Sequence, residues 1–250
     1  MYKRKRSFSR NVRRKRSRST RRNKRSYGSF ALKRKPFARV YRNSLNKLYC
    51  NTVLIYNDNI SINPVPEGGV LGFTRHVFRS NSLQDPDQTG TGHQPMFFDT
   101  YAGVYSKYRV TYAKITVRVI NHFVNTEAAT NYSYRLFIAH DRQAGTDLPS
   151  NMTEMLELGG ANLRYRFVSP SLTGKLPILT LKGAPNRIAG LTKWDDQLLS
   201  AINTSPAVGT NFIIGIASAD GVTDPPSVTL NVRIKYYCQF SDRTLAQPQN

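Results

Sequence analysis

Acidic residues are missing from the first 57 positions of this 250-residue chain, where the first carboxylate is Asp58. Over the whole sequence 15 Asp and Glu face 37 Lys and Arg, a formal net charge of +22. Cysteine is also scarce: Cys50 and Cys238 are too few for a disulfide framework and read as buried free thiols suited to a reducing compartment. No apolar run approaches the ~20 residues that span a bilayer. The best candidate, Phe212 to Ala219, is far shorter. The basic N-terminus lacks the apolar stretch that follows it in a secretory signal.

Motifs for chemistry are lacking as well. His76, His93, His122 and His140 stand in no His-Glu-x-x-His or Cys-x-x-Cys context, so a metal site has no support. Gly90-Thr91-Gly92 has no third glycine and no flanking strand and helix for a dinucleotide. Neither a Gly-x-Ser-x-Gly elbow nor a Walker lysine occurs. The neighbouring acids Asp85 and Asp87 read as part of a loop, and Asp195 and Asp196 as the first turn of a helix. The sequence therefore predicts no catalytic residue, no metal and no cofactor, and a protein that is not an enzyme.

What the chain has in excess is charge of one sign at its start. Residues 1–42 hold nineteen basic side chains: Lys3, Arg4, Lys5, Arg6, Arg10, Arg13, Arg14, Lys15, Arg16, Arg18, Arg21, Arg22, Lys24, Arg25, Lys33, Arg34, Lys35, Arg39 and Arg42. Taking 19 from 37 leaves 18 basic residues against 15 acids over residues 43–250, so the remainder is nearly neutral. A segment so densely charged buries too little apolar surface to offset its ordering entropy, and residues 1–42 are expected to form a disordered arm that a polyanion neutralises. The cations from Lys3 to Lys35 are its nucleic-acid-binding candidates. Tyr2, Phe8, Tyr27, Phe30, Phe37 and Tyr41 lie among them to stack on unpaired bases, in a spacing that carries no base code. The blocks Lys3 to Arg6 and Arg13 to Arg16 also have the composition of a nuclear import signal.

From residue 43 to 250 the composition suits one large β domain, rich in Val, Ile, Thr, Tyr and Phe between Gly and Pro turns. Eight strands are predicted, near 47–62, 70–79, 108–124, 132–138, 163–169, 176–181, 210–218 and 227–240. In the third, Ile115, Val117 and Val119 share one face and Lys114, Thr116 and Arg118 the other, but Val110 and Tyr112 have the opposite parity. A bulge near Tyr112 to Lys114 is expected. The last strand puts Val228, Leu230, Val232, Ile234 and Tyr236 on one face, with Thr229, Asn231, Arg233, Lys235 and Tyr237 on the other. Short helices are expected near 98–106, over 148–158 opened by Asn151, and over 192–202, capped by Thr192 and burying Trp194, Leu198 and Ile202. The pattern predicts an all-β, eight-stranded antiparallel jelly roll of two packed sheets, with the first and last strands as neighbours and Cys50 close to Cys238.

One local stretch adds to this. Gly92-His93-Gln94-Pro95-Met96-Phe97-Phe98-Asp99 is followed by Tyr101, Tyr105 and Tyr108 and then by Lys114-Ile115-Thr116-Val117. It resembles the capsid proteins of circovirus-like single-stranded DNA viruses, whose circular genomes encode a replication initiator and which often carry Gly-His-Gln-Pro-Met-Gly-Phe-Asp ahead of such a strand. The match departs at Phe97, where glycine is usual. Met96, Phe97 and Phe98 also read as residues packing the loop under a sheet. The resemblance implies a shell subunit that assembles with copies of itself into a small icosahedral particle, its arm facing packaged single-stranded DNA. It further implies a virion protein that passes through the host nucleus, with the import machinery as a partner. A single-stranded RNA virus capsid protein fits the charge and the strands equally. A cellular chromatin or ribosome-associated protein would usually add a base-reading patch to its folded domain, and none is visible in the linear sequence.

Overall fold

The computed structural model describes residues 48–63, 73–121, 133–142, 152–158, 162–169, 176–219 and 227–244. Among them nine strands form two antiparallel sheets. They are β1 (Tyr49–Ile62), β2 (Phe73–Arg79), β3 (Tyr105–Asn121), β4 (Tyr134–Asp141), β5 (Leu163–Val168), β6 (Ile178–Gly183), β7 (Leu199–Ala201), β8 (Asn211–Ser218) and β9 (Val228–Arg243). One sheet has the order β1-β9-β3-β6, with β7 also on β3, and the other has β2-β8-β4-β5. β1 to β4 alternate between the sheets, β4 and β5 share one, β6 and β7 share the other, and β8 and β9 alternate again. The first strand pairs with the last, the jelly-roll arrangement expected from the strand pattern.

The alternating apolar residues meet between the sheets. Tyr56, Tyr108, Ile115, Ile234, Tyr236 and Phe240 come from one sheet, and Phe78, Leu136, Phe212 and Ile214 from the other, all without measurable exposure. Each such side chain contributes on the order of 1.5–3 kcal/mol by leaving water. The pairing of β1 with β9 runs from Tyr49 opposite Ser241 to Ile62 opposite Val228. Cys50 faces Phe240 and Thr52 faces Cys238, so the thiols are diagonal neighbours, as the topology requires, and both are free.

The outer faces of the sheets differ. β8 is buried along its whole length and β4 nearly so. A second apolar cluster, Phe137, Ala139, Met155, Ile213 and Ala217, covers their outer side, with Met155 supplied by the helix α2 (Met152–Leu158). The outer side of β1, β9, β3 and β6 carries no such cover among the described residues. Its strands alternate between buried core residues and residues open to solvent.

The parity change in β3 is a bulge. Val110 is opposite Cys238 and Tyr112 opposite Tyr237, leaving Thr111 as the extra residue with its hydroxyl donating to Tyr237 O at 3.1 Å. Tyr108 and Val110 point inward before it, and Ala113, Ile115, Val117 and Val119 after it. On its other edge β3 pairs with β7 before the bulge and with β6 beyond it. A second register shift between Val119 and Asn121 leaves Ile120 47% exposed.

Three helix expectations need correction. The first helix, α1 (Phe98–Ala102), stops at Gly103 because β3 already begins at Tyr105. No helix occupies 192–202. Residues 196–198 form a single 3-10 turn capped by Asp195, whose carboxylate accepts from Gln197 N at 2.9 Å, and β7 follows at once. The spacing of Trp194, Leu198 and Ile202 fits a helix, but the open edge of β3 offers backbone partners, and tertiary pairing overrides local periodicity. Leu198 is buried while Trp194 is 57% exposed. A helix absent from the expectations, α3 (Pro185–Ala189), starts on a proline and ends at Gly190 with φ 71°, both of them ordinary helix punctuation. The expected cap Asn151 lies outside the described residues.

Candidate nucleic-acid interface

The cations assigned to nucleic acid from sequence, Lys3 to Lys35, and both import blocks lie outside the described residues, as does His122. The described residues carry two further features: the Gly92–Asp99 loop and the outer side of the β1-β9-β3-β6 sheet.

The loop is held from below. A Cβ on Gly92 would lie 2.6 Å from Asp87 Cβ and 2.8 Å from Tyr56 Oη, so glycine is required by close approach. His93 stacks on Tyr56 with 4.5 Å between ring centroids. Its Nδ1 lies 2.7 Å from Gln94 O and its Nε2 3.1 Å from Asn57 O. Two carbonyls facing two ring nitrogens favour the doubly protonated ring, and the Gln94 carbonyl first, then that of Asn57, raises the His93 pKa above the ordinary value. Gln94 Nε2 donates to Gln84 Oε1 at 2.8 Å, and Phe98 N donates to Pro95 O at 3.0 Å, opening α1. Phe98 enters the core edge-on to Tyr108. Met96 and Phe97 do not pack under the sheet as expected; they are 69% and 65% exposed. Phe97 has φ 70°, the left-handed conformation that favours glycine, at the one place where the sequence departs from the motif it resembles.

The remaining polar candidates have structural partners. Asp85 pairs with Arg79. The buried Asp87 accepts from His76 Nε2 and from Thr89 N, each at 3.0 Å. His140 is sealed between the sheets, its Nε2 2.9 Å from Ser80 Oγ, and burial lowers its pKa to about 4. Burial likewise pushes the Cys238 thiol up to about 12, so it is not a ready nucleophile. No group of three or more His, Cys, Asp or Glu among the described residues could hold a metal.

The open sheet side carries a row of lysines. Pairing places Ile55, Lys235, Lys114 and Lys182 in one row across β1, β9, β3 and β6. The next row is Asn57, Arg233, Thr116 and Thr180, and the one beyond it runs Asn59, Asn231, Arg118 and Ile178. On the other side of the lysines lie Val53, Tyr237 and Tyr112, with the two tyrosines edge to face at 5.5 Å. Trp194 stands at the same end. The buried Arg109 of β3 donates to Lys193 O at 3.0 Å, holding that loop, and its guanidinium lies 5.5 Å from the Trp194 ring. Two shallow grooves, of about 680 and 720 Å³, meet at Thr111 and Lys193. The first has Tyr49, Trp194 and Tyr237 in its walls, and the second has Tyr112, Lys182 and Arg187. Strand parity showed the members of this surface separately, but only the register shows that they are neighbours.

No protein-family model matches the sequence, and no curated protein matches it. Among solved structures, the chain is similar to the decameric BFDV capsid protein at 15% identity, covering 78% of this chain and 99% of that one, with a TM-score of 0.42. It is similar to the semi-empty virus-like particle protein of Macrobrachium rosenbergii nodavirus at 13% identity, covering 80% and 97%, with a TM-score of 0.41. Tobacco necrosis virus is a third, at 16% identity, covering 78% and 97%, with a TM-score of 0.38.

Proposed function

We propose that this protein is a viral capsid protein: the jelly roll is the wall unit of a closed shell of identical copies, and the basic arm neutralises packaged single-stranded nucleic acid. The observation that carries the reading is segregation of charge. Nineteen cations without one acid precede a body of 18 basic and 15 acidic residues whose fold is a two-sheet jelly roll. Charge of this density supplies affinity without sequence choice, which suits a genome-wide contact. The Gly92–Asp99 motif favours a DNA genome of the circovirus-like kind, and the blocks Lys3 to Arg6 and Arg13 to Arg16 then serve import into the host nucleus. The role is structural and needs no catalytic group. Electron microscopy of the purified protein tests it, with sequencing of the nuclease-protected nucleic acid. Closed particles holding DNA are expected. A monodisperse monomer bound to cellular RNA would overturn the shell reading, and protected RNA inside particles would replace DNA as the genome.

A further inference from the structure

Directly opposed residues on neighbouring strands lie about 5 Å apart at Cβ, and like charges so placed destabilise a sheet. The row Lys235, Lys114, Lys182 commits two such pairs, with Arg233 in the next row and Arg118 in the one beyond it. None of the five forms an ion pair among the described residues. The outward positions of the four strands at and around these rows carry no carboxylate. Asp58 lies on the core side of β1, where its Oδ2 accepts from Tyr56 Oη at 3.0 Å. Asp195 and Asp196 follow Trp194 in its loop, where Asp196 lies 3.8 Å from Arg109, and Asp242 pairs with Lys107. An uncompensated cation row on a folded surface fits a polyanion. The adjoining row is aromatic, with Tyr112, Tyr237 and Trp194 partly or well exposed. Cations tracking a backbone beside rings that accept any base are the two parts of a sequence-tolerant single-strand site.

We propose that the outward side of the β1-β9-β3-β6 sheet is a single-stranded nucleic-acid site, in which Lys114, Lys182 and Lys235 hold phosphates while Tyr112, Tyr237 and Trp194 stack on bases. This extends the nucleic-acid reading from the arm to the folded body, and it commits the full chain to two separable contacts. Duplex is a poor fit, because its bases are already stacked on one another.

Trp194 is the only tryptophan of the chain, which makes the site observable in the intact protein. The full chain is titrated with a fluorophore-labelled octathymidylate, too short to gather many subunits, while tryptophan emission and probe anisotropy are followed together. Inorganic polyphosphate is the arm without bases. Octathymidylate is expected to quench Trp194 and polyphosphate to bind without stacking quench. In K114Q/K182Q/K235Q the quench requires more oligonucleotide, and its salt slope is shallower by about 2, as loss of three phosphate contacts on a single strand predicts. The thermal midpoint of that variant is expected not to fall, since the substitutions remove like-charge pairs. Binding seen by anisotropy without any change at Trp194 would overturn the site and leave the arm reading intact, as would a quench that the triple variant does not alter. Loss of both signals in the parent chain would overturn the arm reading too.

Discussion

His140 is a basic side chain enclosed where the two sheets meet: a Cβ on Gly183 of β6 would come within 2.3 Å of its Nδ1. In the unfolded chain its imidazole titrates near the ordinary 6.5, and in the fold only near 4. Between those values the unfolded state binds more protons, so stability falls as pH drops from about 6.5 toward 4. The shift corresponds to about 3 kcal/mol. Urea midpoints measured across that range are expected to decline in the parent protein and to decline less in His140→Gln, and equal slopes would contradict the assignment. His93 acts in the other direction. Its raised folded value gives a contribution present below pH 6.5 and lost as pH rises through that value. Phe97 is the strained residue of the same loop, and Phe97→Gly is expected to hold or raise stability by up to about 1 kcal/mol, whereas the β-branched Phe97→Val lowers it. Calorimetry of the two variants checks this, and a clear loss in Phe97→Gly would mean that the exposed ring makes a contact of its own.

At the scale of elements, β3 carries the architecture. Its bulge at Thr111 lets one strand present Tyr108 and Val110, then Ala113 to Val119, to the same core, and it divides the strand edge between β7 and β6. Deleting Thr111 puts one of those sets on the solvent side. Loss of soluble protein is the expected result, because either choice exposes several fully buried side chains worth about 1.5–3 kcal/mol each. Near-normal yield and circular dichroism in the deletion would show that the bulge is incidental. The strands were legible in the sequence because each has a half-buried period of two, and the bulge because Val110 and Ile115 differ in parity. What was illegible depends on partners. Leu199 to Ala201 became a strand because β3 has a free edge there, and Trp194 is exposed because Arg109 holds its loop outward. The short α3 was signalled by Pro185 and Gly190 but has too few turns for a periodicity to show.

For the whole molecule the proposed function rests on the distribution of charge more than on its sum. The body is nearly neutral in total, yet five of its cations, Lys114, Arg118, Lys182, Arg233 and Lys235, share one uncovered sheet side, while on the other sheet α2 supplies Met155 to the apolar cover over β4 and β8. That arrangement was only half legible, since parity put Lys114 with Arg118 and Lys235 with Arg233, whereas the row joining them to Lys182 exists only in the pairing register. The excess of basic residues over 1–42 was fully legible as composition. In a shell of roughly 60 copies, arms of nineteen cations would supply on the order of 1,100 positive charges against about one negative charge per nucleotide. A genome of one to a few thousand nucleotides, roughly, is then partly neutralised, and small counter-ions cover the rest. The most direct test is the nucleic-acid content per particle, and its salt dependence, for the full chain and for a chain lacking residues 2–25, which removes fourteen of the nineteen cations. The shortened protein is expected to package less than about half as much and to release it with a shallower salt slope, at an unchanged melting temperature of the body. Equal content and equal slope in the two would contradict the account and would assign the genome contact to the folded wall alone.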